Sequence, residues 1–142
     1  MMNKIKKMIK NERGMTLIEL LAVIVIIAII AAIAIPAIGN IINNQKDKAI
    51  LADASTILAG AKLAMADGAC GADNSCSNVE LEGFVDELKY PLVAADKVDK
   101  TTNGYSITYT ALEKINNNKY KDGVATGNVI TSDKLIENMG NK

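Results

Sequence analysis

The sequence contains no histidine and no tryptophan, and it has a single phenylalanine. Without histidine it lacks the usual general base, the Ser–His and Cys–His pairs of nucleophilic catalysis, and the commonest metal ligand. It also contains neither a P-loop nor a glycine-rich dinucleotide fingerprint. Carboxylates and lysines remain as candidate catalytic groups, but no spacing of them marks an active site. We therefore predict a protein that is not an enzyme, with no catalytic residue, no cofactor and no bound metal.

Arginine is absent beyond residue 13, and the charges are unevenly distributed along the chain. Residues 1–14 carry five basic side chains against one Glu, whereas residues 37–142 carry 11 lysines against 14 carboxylates. The distal part therefore lacks the basic field on which non-specific nucleic-acid binding depends. We predict no strong direct interaction with nucleic acid. The scarcity of aromatic residues also predicts a small, mostly aliphatic core.

One long apolar run lies in the first third of the chain, with no polar side chain between Leu20 and Ile35. A helix that spans a bilayer needs about 20 predominantly apolar residues, and residues 15–39 are long enough to supply them. The basic residues ahead of this run should stay on the cytoplasmic side. Two simpler interpretations compete. One is a secretory signal peptide, whose apolar core is usually only about 7–15 residues, and the other is a plain single-span anchor.

Glu19 lies inside this apolar run. An acidic residue at the centre of a membrane span costs about 2.5–3.5 kcal/mol, and it costs less near an end, where the carboxylate reaches water. Two interpretations follow. Either Glu19 reaches the interface at the positive end of the helix dipole, or it meets a cationic partner when such helices assemble.

The helical pattern continues beyond the apolar run. Apolar residues recur at helical spacing over residues 50–65, which predicts one helix over residues 16–66 that is amphipathic in its second half. The pair Asp67–Gly68 should end it, since glycine readily adopts the left-handed conformation that stops a helix. Pro36 and Gly39 predict a kink or local melting inside the helix, because proline lacks an amide hydrogen and glycine lowers helix propensity.

Cys70 and Cys76 frame a short polar loop after that helix. On the predicted topology they lie outside the membrane in oxidising surroundings, where a disulfide is plausible. Two free thiols are the alternative, because spacing alone does not establish the bridge geometry. A metal site is disfavoured, since two cysteines without histidine supply too few ligands.

The rest of the sequence predicts a small mixed domain. A capping box at Ser77–Glu80 opens a helix, and alternating polar and apolar residues predict a strand over residues 105–111. That helix should end before Pro91, and a linker is expected near 96–103. Turns are expected at 116–118 and 122–123, with a strand beginning at 119–121 between them. Another strand within 124–131 and a last helix over 132–138 complete the expected elements. Together these elements predict an α+β fold, in which the long helix packs on a small antiparallel sheet.

The front of the chain joins four features in a fixed order. They are a basic leader ending in Arg13–Gly14, then Met15, then Glu19 at the fifth position counted from Met15, then the apolar run reaching Pro36. This arrangement resembles the type IV pilins and their pseudopilin relatives. The resemblance implies that a prepilin peptidase cuts between Gly14 and Met15 and methylates the new amino terminus of Met15. The family usually has phenylalanine at that position, so Met15 departs from its common pattern.

The resemblance also implies a pilin-like fold made of three segments. Residues 1–14 are a cleaved leader, and residues 15–39 are the hydrophobic half of the first helix, which lies in the membrane and then in the filament core. Residues 40–142 form a globular head from which that half of the helix protrudes. Glu19 is expected to pair with the amino terminus of a neighbouring subunit and to set the axial register of assembly.

The function implied is that of a structural subunit, expected to be the major pilin, of a type IV pilus. Its partners are other copies of the chain, the prepilin peptidase and N-methyltransferase, a membrane assembly platform with its ATPase, and membrane lipid before assembly. The protein would occupy the cytoplasmic membrane first, with its head outside, and a cell-surface filament afterwards. Two alternatives stay open: a pseudopilin of a type II secretion or DNA-uptake machine, and a membrane-anchored extracytoplasmic binding module. The resemblance does not distinguish adhesion, twitching motility, DNA uptake or secretion as the task of the filament.

Overall fold

A computed structural model describes residue 14 and residues 16–140 of the chain. The leader residues 1–13, Met15 and residues 141–142 lie outside the described part. The chain divides by its internal contacts into two units, and the division falls between Asn40 and Ile41. The helices and strands, in chain order, are α1 Leu17–Asp67, β1 Ser75–Ser77, α2 Asn78–Leu81, β2 Lys97–Thr101, β3 Gly104–Thr108, a 3-10 helix Thr110–Lys114, α3 Asn118–Lys121, β4 Val129–Thr131 and α4 Ser132–Gly140.

α1 is a single helix of 51 residues that ends where the sequence predicts. Gly68 follows it with a φ of 75°, in the left-handed region that favours glycine. Its N–H donates to the Met65 carbonyl at 3.3 Å, and the Ala69 N–H donates to the Ala64 carbonyl at 2.9 Å. These two bonds are those of a Schellman motif, which satisfies carbonyls that a helix end leaves without donors. The predicted end at Asp67–Gly68 is therefore confirmed.

The second unit is built on a four-stranded antiparallel sheet in the order β1-β2-β3-β4. Cys76 pairs with Val98, Val98 with Ile107, and Ile107 with Ile130, so one fully buried row crosses the whole sheet. The second half of α1 packs on this row and joins it in one core. Its buried apolar residues are Ile50, Leu51, Ala54, Ile57, Leu58, Ala61 and Ala64. The predicted α+β fold, a long helix on a small antiparallel sheet, is confirmed.

Cys70 and Cys76 form a disulfide, with their Cα atoms 5.0 Å apart. Cys76 is fully buried in the core row, and Cys70 is half-buried. The bridge ties the segment that follows α1 to strand β1. The sequence allowed this pairing beside two free thiols, and the structure contains the disulfide.

Buried carboxylates organise the loops of the second unit. Asp47 of α1 has no exposed surface and accepts hydrogen bonds from the N–H groups of Asn116 and Asn117 at 3.2 and 2.8 Å. Asp53, one turn and a half further along, accepts from the Tyr90 N–H and the Tyr109 hydroxyl, both at 3.2 Å. A buried carboxylate is tolerated only when donors surround it. The two acids therefore hold three irregular segments against α1.

The segment predicted as a linker, residues 96–103, is instead strand β2 with the turn that follows it. β2 contains Val98 as its one apolar residue, so its sequence shows little of the alternation that marks a strand. Its place between β1 and β3 supplies hydrogen bonds on both sides. The strand predicted over 105–111 is present as β3 but ends at Thr108; Tyr109 caps the 3-10 helix, which contains Thr110 and Ala111.

One other prediction near the end of the chain was wrong. Residues 119–121, expected to begin a strand, lie in helix α3. The side chain of Asn117 accepts a hydrogen bond from the Lys119 N–H at 3.0 Å, and this cap favours a helix. The strand expected within 124–131 is confirmed as β4, and an isolated bridge joins Ala125 to Val129. The last helix, α4, is confirmed.

The capping box at Ser77–Glu80 is confirmed, but the helix that it opens is shorter than predicted. α2 ends at Leu81, because the chain then turns to pack closely on α1. A Cβ atom built at Gly60 would lie 2.5 Å from Val85 Cγ2 and 2.7 Å from the Phe84 carbonyl oxygen. Only glycine allows this close approach. The contact therefore ends the helix at Leu81, although the apolar residues that follow are spaced as in a helix.

Candidate functional site

The start of α1 is a hydrogen-bonded capping box made by Thr16 and Glu19. Thr16 stands immediately before the first helical residue, Leu17, and Glu19 is the third residue of the helix. The Thr16 N–H and hydroxyl donate to Glu19 Oε2 at 2.8 and 3.0 Å, and the Glu19 N–H lies 3.3 Å from the Thr16 hydroxyl oxygen. The two residues thus satisfy each other's amide groups at the helix start.

Sequence analysis missed this capping box. The residue pattern Thr-x-x-Glu is the same kind of signal as the Ser-x-x-Glu pattern at Ser77–Glu80, which was recognised. Both interpretations of Glu19 from the sequence concerned its charge inside the apolar run, and neither included a hydrogen bond with Thr16. The structure therefore gives Glu19 a role within its own chain.

The Glu19 carboxylate still has an unused oxygen. Both hydrogen bonds from Thr16 end on Oε2, and Oε1 accepts none from the described residues. The side chain is exposed. An ionised carboxylate offers about four acceptor positions. Glu19 can therefore keep its own helix capped and accept a donor from another molecule at the same time.

Gly14 lies just before this capping box, outside any helix or strand, and it is exposed. A Cβ atom built on it would meet nothing within 4 Å. An exposed residue outside a helix or strand is accessible to a peptidase. Met15 and the leader lie outside the described residues, so cleavage between Gly14 and Met15 and methylation of Met15 remain predictions.

The first half of α1 exposes an almost continuous apolar surface. Its large hydrophobic residues are 42–84% exposed. They are Leu17, Ile18, Leu20, Leu21, Val23, Ile24, Val25, Ile26, Ile27, Ile29, Ile30, Ile33, Ile35 and Ile38. In the described part of the chain, α1 alone is long and apolar enough to cross a membrane, and none of its most apolar stretch is buried. Such a helix, apolar on every side, needs lipid or other helices around it.

Pro36 and Gly39 lie within this stretch, and α1 is helical through both. Proline has no N–H, so the carbonyl of Ala32 loses its usual helical donor. A Cβ atom on Gly39 would meet nothing within 4 Å, so no packing against another group explains the glycine. The two residues make a point of low helical stability inside a continuous helix.

No group of three or more Cys, Asp or Glu side chains within residues 16–140 is arranged to hold a metal ion. The buried carboxylates Asp47, Asp53 and Asp96 accept hydrogen bonds from backbone and hydroxyl groups.

A comparison with known families gives one match. The family model for the prokaryotic N-terminal methylation motif matches residues 9–35. No curated protein and no solved structure matches the chain. The matched segment contains Gly14, Met15, Glu19 and nearly all of the apolar run, and a motif of this kind implies processing by prepilin peptidase and assembly into pilus-like polymers. The chain thus carries the class III prepilin signal of type IV pilin-like and pseudopilin proteins.

Proposed function

We propose that the protein is the structural subunit of a type IV pilus, its major pilin, and that it performs no catalysis. The observation that carries the proposal is the exposed apolar half of α1, placed directly behind a prepilin signal. Residues 1–14 are the leader, residues 15–39 the membrane and filament-core segment, and residues 40–142 the head. The amino-terminal charge created by cleavage then stands next to the Thr16–Glu19 capping box.

The apolar half of α1 has two successive environments in this proposal. Lipid covers it before assembly, and the same helices of other copies cover it in the filament core. Because lipid offers no hydrogen bonds, the amide groups at the helix start need partners within the protein. The Thr16–Glu19 capping box supplies two of them. The weak point at Pro36 and Gly39 is where α1 stretches or melts as it passes between the two environments.

Glu19 sets the axial register of assembly. After cleavage each copy carries an ammonium group at Met15, and Glu19 Oε1 of an adjacent copy accepts from it. Two opposite charges that leave water together gain little net stability, whereas one left unpaired is strongly penalised. The pair therefore selects one alignment of neighbouring helices more than it strengthens the filament.

The membrane partners follow from the same motif. A prepilin peptidase and N-methyltransferase processes the chain at Gly14–Met15, and an assembly platform with its ATPase moves it from the cytoplasmic membrane into the filament. The final location is the cell surface. The head carries no basic field for nucleic acid, since residues 37–142 hold more carboxylates than lysines.

A pseudopilin is the second candidate, because the matched motif fits it equally well. Shearing of cells separates the two functions. A major pilin is released as long, abundant filaments that contain this chain, as seen by electron microscopy and immunoblotting. A pseudopilin forms only short fibres held in the envelope. A chain that stays wholly in the membrane fraction as single copies would contradict both and favour an anchored binding module.

A further inference from the structure

The tip of the β2–β3 hairpin carries the one Asn–Gly pair of the sequence, Asn103–Gly104. The ladder between the two strands ends with Thr101 opposite Gly104, so Thr102 and Asn103 form a two-residue loop. Asn103 is exposed. Among the residues that the structure describes, none holds its side chain by a hydrogen bond. The side-chain amide of Asn103 is therefore in contact with solvent and free to rotate.

Gly104 is required at its position by the fold. Its φ of 135° lies in the region that favours glycine. A Cβ atom built there would lie 2.8 Å from the Ser132 hydroxyl oxygen. That oxygen is held in place, because Ser132 is buried and accepts a hydrogen bond from the Tyr105 N–H at 3.3 Å. The asparagine at the tip is thus followed by glycine for a structural reason.

Asparagine is a chemically labile residue, and before a glycine it reacts with its own main chain. The Gly104 nitrogen attacks the side-chain carbonyl carbon of Asn103 and gives up its proton. The new C–N bond closes a succinimide ring, while the bond to the side-chain nitrogen breaks and ammonia leaves. Water then adds to one of the two ring carbonyls and opens the ring. The product is aspartate or isoaspartate, and no oxidant or reductant takes part.

Two features of the hairpin favour this ring closure. Glycine has no side chain to obstruct the approach of its nitrogen, and its main chain is the least restricted. The pair of Thr101 and Gly104 is also the last of the β2–β3 ladder, and the ends of such elements open at a low free energy. Asn128 differs in both respects, since the branched Val129 follows it and its own carbonyl accepts a hydrogen bond from Tyr109 at 2.9 Å.

We propose that Asn103 is a site of spontaneous deamidation through attack by the Gly104 nitrogen. Each event replaces a neutral amide by a carboxylate and adds one negative charge at the hairpin tip. Isoaspartate also adds a methylene group to the main chain, next to the contact of Gly104 with Ser132 at the start of α4. The modified fraction grows with time, so it records the age of the folded chain. The chemistry requires only the hairpin and water, and it is independent of the proposed function.

The test is peptide mass spectrometry of the full-length chain, purified in detergent, incubated at neutral and at mildly alkaline pH and then digested with trypsin. The tryptic peptide 101–114 contains Asn103 as its one side-chain amide, and the peptide 122–134 contains Asn128 as its one side-chain amide. The second peptide is an internal control from the same digest. We expect peptide 101–114 to gain the mass difference between OH and NH2 while peptide 122–134 stays unchanged. The rate should rise with pH, because the attacking nitrogen must lose its proton.

Two further measurements identify the mechanism. The modified peptide 101–114 should separate by chromatography into two products of equal mass, aspartate and isoaspartate, because the ring opens at either carbonyl. Asn103→Gln is the matched variant: it keeps an exposed amide but moves the carbonyl carbon one methylene further from the main chain, so the product should be lost over the same incubation.

Three results would overturn the proposal. Equal rates for Asn103 and Asn128 would show that the hairpin tip is not a preferred site. Aspartate without isoaspartate would indicate direct hydrolysis by water in place of attack by Gly104. Modification in denaturant but not in the folded chain would show that the hairpin prevents ring closure. None of these results bears on the proposed function, and a chain that forms no filaments would leave the deamidation site standing.

Discussion

At the scale of single residues, Glu19 caps its own helix, and we propose that the same carboxylate also sets the register of assembly. Its Oε2 atom caps the start of α1 through Thr16, and its Oε1 atom has no donor among the described residues. Capping requires only an acceptor, so glutamine can replace glutamate there. The proposed pairing with an amino terminus requires a negative charge on residue 19. The two purposes are therefore separable by substitution.

We predict that Glu19→Gln leaves the chain in the membrane in normal amount but abolishes or disorders filament assembly. Glu19→Ala should have the same effect on assembly and should also remove the cap. Thr16→Ala is the matched control, because it weakens the cap and keeps the charge. Immunoblots of membrane fractions measure insertion, and electron microscopy of sheared material measures assembly. Filaments of normal number and form from Glu19→Gln would contradict the role in register.

Gly60 provides a test of the head at the same scale. A Cβ atom there would meet the Phe84 backbone and the Val85 side chain at 2.7 and 2.5 Å. We predict that Gly60→Ala destabilises the head by about 1–3 kcal/mol, the usual range for overpacking. Gly83→Ala is the control, since a Cβ at Gly83 meets nothing within 4 Å. Thermal unfolding of the full chain in detergent compares the two variants, and equal melting temperatures would contradict the close contact.

At the scale of elements, the lowered pKa values of two carboxylates in the second unit predict that its stability is sensitive to acid. The Ser77 backbone N–H, and then its hydroxyl, hold the pKa of Glu80 below its ordinary value of 4.5. Burial raises the pKa of Asp99, but hydrogen bonds from Ser75 and Lys97 and the charge of Lys97 together hold it below 3.8. A lowered folded-state pKa means that the stabilisation is complete above the ordinary value and is lost as the pH falls through the lowered one.

We therefore predict that the melting temperature of the head falls between about pH 5 and about pH 2, where these carboxylates take up protons. Glu80→Gln keeps an acceptor in the capping box and removes the titrating group. It should lose less stability than the native chain over the same pH interval. An identical pH profile for the two chains would show that Glu80 contributes nothing to the acid sensitivity.

Elements differ in how far the sequence predicts them. α1 is predicted because its signals are local: a long apolar run, helical spacing and the stop at Asp67–Gly68. β2 is not, because Val98 alone is apolar there and its neighbouring strands stabilise it. The contact of Asp47 with Asn116 joins residues 69 positions apart. No local pattern indicates such a pair, since it exists only once the head is folded.

The candidate site also has features that the sequence predicts and features that it does not. The prepilin signal and Glu19 are visible in the sequence because their order along the chain is the signal itself. The local cap by Thr16 was within reach of sequence reasoning, since Thr-x-x-Glu is a known pattern. That both bonds from Thr16 end on Oε2 was not, because a residue pattern does not specify which carboxylate oxygen accepts.

At the scale of the whole molecule, the chain combines a folded second unit with a helix half whose apolar side chains no other described residues cover. The head has a continuous core, a disulfide and internally bonded carboxylates. The first half of α1 exposes large apolar side chains throughout. A folded protein with such a surface is complete only in a membrane or in a polymer. In the function proposed above, processing at Gly14–Met15 is the step that allows passage from one to the other.

The intact mass of the chain in filaments sheared from cells tests this account most directly. We predict the mass of residues 15–142 with one added methyl group and with the disulfide between Cys70 and Cys76 retained. Reduction should then add two hydrogens. A mass that includes residues 1–14 would show that the leader is kept, and it would contradict cleavage, the new amino terminus and the pairing with Glu19 together.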